Sequence, residues 1–167
     1  MRRLGVGLVC ACAAAAAVAP VDAGGGDLPR CHTAQLRLRD DGGQGAAGTG
    51  ILSLSLRNAG RRCRTQGFPG VRFLDAHRRT ITVRQVRGAA TGPRRPRRVV
   101  LRHGAYAHVI VSAPNATADG RPCRRARYVR VIAPDETTAR TARVRHAPGC
   151  VRVIRISPVV QGRDRIG

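Results

Sequence analysis

Asn58-Ala59-Gly60-Arg61-Arg62-Cys63-Arg64-Thr65-Gln66-Gly67-Phe68-Pro69-Gly70 follows directly on the most regular alternation in the chain, and its reading decides the fold. Just before it, residues 51–57 place Leu52, Leu54 and Leu56 on one side and Ser53, Ser55 and Arg57 on the other. That is the period-two pattern of a strand with a core face and a solvent face. Asn58 and Gly60 tolerate the positive φ that a tight turn needs. Cys63 offers a disulfide partner, and Pro69 fixes φ in a second bend whose Phe68 is free to anchor in the core. A strand, a turn, a staple and another turn in so short a span describe a corner of a β-domain.

The same alternation recurs outward from this corner. Residues 35–39 set Leu36 and Leu38 against Arg37 and Arg39, and the glycine-rich residues 40–50 read as a loop. Val71 and Phe73 continue into a short strand, and Ile81, Val83 and Val86 form another beyond a polar turn. Residues 88–98 break the pattern; Arg94, Arg95, Arg97 and Arg98 around Pro96 make an extended basic loop. Residues 105–112 are apolar on both sides and predict a central strand. Further strands are expected at 99–101, 127–132, 141–144 and 151–156. No segment sustains a helical period, so the chain reads as an all-β, antiparallel sandwich of about eight strands.

The chain of 167 residues is long enough for one domain and one core. Arg2 and Arg3, the apolar residues 4–18 and the small residues around Asp22 read as a signal peptide over 1–23, followed by a flexible leader at 24–30. The ordered domain is expected at 31–158 and a frayed tail at 159–167. Cys12 partly fits a lipid-attachment site, a weaker alternative to cleavage and release. Export leaves Cys31, Cys63, Cys123 and Cys150, an even set that reads as two disulfides. Of the three possible connectivities the simplest pairs Cys31 with Cys63 and Cys123 with Cys150.

The formal charge is +22, from 31 basic residues against 9 acidic ones, and every basic residue is arginine. An arginine-only chain rich in Ala, Gly and Pro is what a GC-rich coding sequence produces, so part of the charge reads as composition. The remainder points to an anionic envelope polymer or a phosphate-rich surface, with Arg94, Arg95, Arg97 and Arg98 as contacts.

The spacing Asn58-x-Gly60-x-x-Cys63-x-x-x-Gly67-Phe68-Pro69-Gly70-Val71 resembles the signature of the secreted actinobacterial domain-of-unknown-function family 4232. Cys31, Leu101, Gly104, Ala107, Cys123, Pro134-Asp135-Glu136 and Gly149-Cys150 extend the resemblance over nearly all of the exported chain. His103 stands where the family usually has proline. The resemblance implies an immunoglobulin-like sandwich exported to the cell envelope, and it brings no activity and no catalytic residue.

The residues themselves point the same way. His32, His77, His103, His108 and His146 are scattered singly, without metal-ligand spacing. There is no G-x-S-x-G elbow, no C-x-x-C pair and no phosphate-binding glycine loop. Asp40 and Asp41 read as the start of a turn, since a calcium site needs six to eight oxygens. The expectation is a non-enzymatic binding or structural module without metal or cofactor. With Phe68, Phe73, Tyr106 and Tyr128 as its sole aromatics the sequence shows no stacking platform, which argues against nucleic acid.

Overall fold

A computed structural model describes residues 27–88, 91–117, 120 and 122–164. The expected signal peptide, with Cys12, lies outside them. The described chain is an all-β sandwich. One sheet has the order β1 (Leu36–Ala46), β2 (Thr49–Asn58), β8 (Tyr106–Pro114), β11 (Val153–Ile156), β6 (Arg84–Arg87), and β12 (Val160–Gln161) also pairs with β8. The other runs β10 (Arg140–Arg143), β9 (Tyr128–Ile132), β4 (Gly70–Leu74), β5 (Thr80–Ile81). A ribbon of β3 (Cys63–Thr65) and β7 (Val99–Leu101) stands apart.

Alternation builds the core. Leu52, Leu54, Leu56, Val109, Val111, Ile154 and Ile156 of the first sheet meet Val71, Phe73, Val129 and Val131 of the second in one buried cluster. Strand β8 lies between β2 and β11, central as its two apolar faces predict. The pairing is antiparallel except at one edge, where β6 runs parallel to β11 with Val153 opposite Arg84 and Arg155 opposite Val86. Both expected disulfides are formed, Cys31 to Cys63 and Cys123 to Cys150. They close sequence separations of 32 and 27 residues, each removing on the order of 3 to 4 kcal/mol of unfolded-chain entropy.

Several local expectations are corrected. Residues 40–50 are not a loop: β1 and β2 continue through them as a hairpin that turns at Ala47 and Gly48, with φ of 44° and 77°. The glycines there answer close packing. A Cβ on Gly43 would lie 2.7 Å from the His146 Cβ, and one on Gly50 would lie 2.6 Å from the Pro148 backbone. Asp40 and Asp41 do not open a turn; they sit at a register shift in β1, a β-bulge in which Asp40 Oδ1 accepts the Gly42 N–H at 2.9 Å.

The residues after Pro158 are not frayed as far as Asp164. Val159 is buried, Val160 and Gln161 pair with His108 and Ala107, and Gly162 N–H donates to Tyr106 O at 2.8 Å. Ser53 Oγ donates to the Asp164 carbonyl at 2.7 Å. Ser53 and Ser55, expected on a solvent face, are therefore buried under this segment.

The corner itself is built differently from its sequence reading. Neither Asn58 nor Gly60 has a positive φ, whereas Gly67 does, at 127°. Asn58 is fully buried, and its side chain ties the corner together: Nδ2 donates to Arg61 O at 2.9 Å and Leu101 O at 3.0 Å, while Oδ1 accepts the Gly60 N–H at 2.9 Å and Gln35 Nε2 at 3.1 Å. Gly60 is required by space, since a Cβ would stand 2.8 Å from that of Gln35. Phe68 does not anchor in the core; that place belongs to Phe73, and Phe68 is half-buried at the surface.

Candidate anion-binding groove

Asp27, Asp40, Asp41, Asp75 and Glu136 make contacts within the fold. Asp41, its side chain 1% exposed, receives Arg163 at 2.7 and 3.1 Å, and that guanidinium lies 4.8 Å from the Tyr106 ring centroid. Burial alone would raise the Asp41 pKa, but Arg163 more than offsets it and holds the carboxyl below the ordinary value. Glu136 behaves alike: burial opposes ionisation, yet the Thr33 N–H at 3.1 Å, His32 at 3.1 Å and Arg30 at 3.3 Å lower its pKa. Asp40 accepts the backbone N–H groups of Arg145 at 2.6 Å and His146 at 3.3 Å, joining the hairpin to the chain after β10. Asp75 closes a turn on the N–H groups of His77 and Arg79. Asp27 pairs with both Arg64 and Arg98.

These pairs engage Arg30, Arg64, Arg79, Arg98 and Arg163. Register sets other arginines against one another. Arg37 stands opposite Arg57 on β1 and β2, and Arg72 opposite Arg130 on β4 and β9. Like charges placed directly across a ladder destabilise it.

Of the four arginines of the predicted basic loop, Arg98 pairs with Asp27, Arg94, Arg95 and Arg97 are exposed, and Arg94 lines a groove. That groove consists of two adjoining hollows that share Arg94 and Arg155. A smaller one of about 270 Å³ has Phe68, Arg87 and Gly88 in its wall; a larger one of about 550 Å³ is bounded by Thr49, Ser112, Pro114 and Val153.

Each side chain is positioned by a named element. Arg155 points outward from β11 because its neighbours Ile154 and Ile156 take the core side. Arg87 closes the parallel edge strand, and its guanidinium lies over the Phe68 ring at 5.4 Å from the centroid. Phe68 is held beside it by Gln85, which donates to Pro69 O at 3.0 Å and accepts the Val71 N–H at 3.0 Å. Arg94 comes from the 91–98 segment, which packs on the first sheet where Gly92 approaches Ile110. Among the described residues no carboxylate lines either hollow.

Two other hollows are also arginine-lined. One of about 570 Å³ has Arg84, Arg124 and Arg152; another of about 440 Å³ has Arg39, Arg127, Arg143 and Arg145 but includes Asp40. Among the described residues no group of three His, Cys, Asp or Glu side chains could hold a metal, and no helix is long and apolar enough to cross a membrane. His32 Nδ1 lies 3.1 Å from Glu136, and His108 Nδ1 lies 3.2 Å from Gly162 O.

Fold and surface together define a disulfide-stapled all-β sandwich with a strongly basic exterior. The family model described as a domain of unknown function, DUF4232, matches residues 31–160, and the chain belongs to that family. No curated protein and no solved structure matches the chain. The residues that carry the family resemblance are architectural here: Asn58 and Gly60 close the corner, the cysteines pair, and Glu136 fastens the N-terminal segment to the end of β9.

Proposed function

We propose that this chain is an exported, non-enzymatic module of the cell envelope that binds an anionic polymer through its arginine surface. The observation that carries the reading is the mismatch between cations and anions. The described carboxylates at positions 27, 40, 41, 75 and 136 are already engaged within the protein, while Arg87, Arg94 and Arg155 gather around one groove that contains none. Such a surface draws its counter-ions from outside. A polymer of fixed negative charge supplies them with a gain from released salt ions. Two disulfides fit an oxidising compartment, and the sequence lacks the nucleophile and phosphate-loop motifs of common hydrolases and nucleotide enzymes.

The test is retention of the purified, disulfide-intact protein on immobilised polyphosphate across a salt series. The expected result is a logarithmic affinity that falls linearly with the logarithm of salt, with a slope of about −3 or steeper. Weak retention with a flat salt dependence at low ionic strength refutes the reading. A purely scaffolding role without a polymer ligand then takes its place.

A further inference from the structure

Resting on the polymer-binding reading but more specific, we infer that the groove of Arg87, Arg94 and Arg155 seats an extended chain of phosphate groups, with successive phosphates on successive guanidiniums. Three observations carry this. The two hollows share Arg94 and Arg155 in their walls, so one ligand chain reaching from one to the other would meet the same two guanidiniums. Each guanidinium presents a planar fork that can give two parallel N–H···O bonds to one phosphate. Among the described residues no carboxylate lies in the lining to compete for the forks or repel an anion.

Position matters as much as charge. On the parallel β6–β11 edge Arg155 pairs with Val86 and Arg87 with the buried Ile156, so the two arginines leave opposite faces of the ladder and meet the same hollow from its two sides. The Phe68 ring lies 5.4 Å from the Arg87 guanidinium carbon and restricts that side chain at the wall of the smaller hollow. Thr49, at the rim of the larger hollow, offers a hydroxyl donor where the chain would leave the arginines. By contrast, Arg72 and Arg130 lie opposite one another on the other sheet and line none of these hollows.

The experiment compares the full-length exported protein with R87S/R94S/R155S, with R62S/R72S/R130S as an equal-charge control, and with Phe68→Leu. Binding to inorganic polyphosphate, poly(glycerol phosphate) and polyglutamate is measured by titration calorimetry over a salt series, and thermal unfolding checks each fold. The groove variant is expected to lose at least tenfold in affinity for both phosphate polymers and to have a salt slope shallower by about 2, from three lost phosphate contacts. The control is expected to lose threefold or less. Phe68→Leu, which changes no charge, is expected to weaken phosphate binding severalfold while its salt slope stays within about 0.5 of wild type. Equal losses in the two triple variants overturn the groove while leaving general polyanion binding intact. Equal affinity of the wild type for polyglutamate and the phosphate polymers overturns the phosphate assignment. Absence of salt-sensitive binding by the wild type overturns the underlying reading itself.

Discussion

Replacing Asn58 by alanine tests whether the corner is held by a side chain or by a backbone conformation. The Asn58 amide donates to Arg61 O and Leu101 O and accepts from the Gly60 N–H, and it is closed to solvent. A hydrogen bond contributes about 1 kcal/mol net, so losing these three costs about 3 kcal/mol. The Leu101 carbonyl cannot turn to water, because that residue is fully buried. This pushes the cost upward, while Gly60 and Arg61 lie nearer the surface and recover some hydration. The assay is urea unfolding at pH 7 with both disulfides intact, followed by far-ultraviolet circular dichroism since the chain has no tryptophan. Two further variants separate the causes. Asn58→Gly should be at least as damaging as alanine, because the backbone here does not need positive φ. Asn58→Asp keeps the acceptor for Gly60 but turns an oxygen on the Leu101 and Arg61 carbonyls, so it should not recover stability. A loss below about 1 kcal/mol for alanine, or a glycine variant as stable as wild type, refutes the reasoning.

Two more outcomes follow from the packing and the carboxylates. Gly60→Ala must push a Cβ within 2.8 Å of Gln35 Cβ, whereas Gly70→Ala meets Ile132 at an ordinary 3.5 Å. The first should therefore cost about 1 to 3 kcal/mol in the same urea assay and the second less than about 0.5, and a reversal of that order rejects the packing account. Glu136 and Asp41 have folded pKa values below their ordinary 4.5 and 3.8, so the stability they contribute is full above those values and is lost as pH falls through the lower folded ones. Urea midpoints should decline from pH 5 to pH 2.5, and Glu136→Gln should flatten that decline; an unchanged acid sensitivity in the variant removes Glu136 from the account.

The parts of this fold that a reader of the sequence can find are those set by local periodicity. Leu52, Leu54 and Leu56 declare a core face by themselves, and an even set of cysteines declares two disulfides, which the structure joins in the simplest of the three connectivities the sequence allows. What escapes is set by contacts distant in sequence. Gly43 and Gly50 look like loop residues because glycine usually marks a turn, yet they are strand residues against which His146 and Pro148 pack. Ser53 and Ser55 look solvent-facing because nothing nearby in sequence says that residues 159–164 return to cover them. The groove is harder still. Its arginines come from residues 87, 94 and 155, and in a chain with arginine on most outward positions no single one stands out. Arg155 carried one usable signal, its outward place between Ile154 and Ile156, and Phe68 carried a misleading one, since an aromatic at a proline turn suggests burial.

Charge and fold are separable in this protein, and that separation bears on what the charge is for. The two disulfides, the single apolar core and the Asn58 and Glu136 networks account for the architecture without the exposed arginines. Arg37 against Arg57 and Arg72 against Arg130 work against the ladders that carry them. Compositional bias explains why arginine is everywhere, because drift distributes a residue without regard to position. It does not explain why, among the described residues, carboxylates are drawn to Arg163, Arg64 and the backbone of residues 145 and 146 but not to the walls of a groove lined by three arginines. A neutralising Asp or Glu at Thr49, on the rim of that groove, would relieve the repulsion with a single side chain. Its absence at that place, amid ion pairs elsewhere, is what distinguishes a surface shaped toward an anion from one that is merely basic.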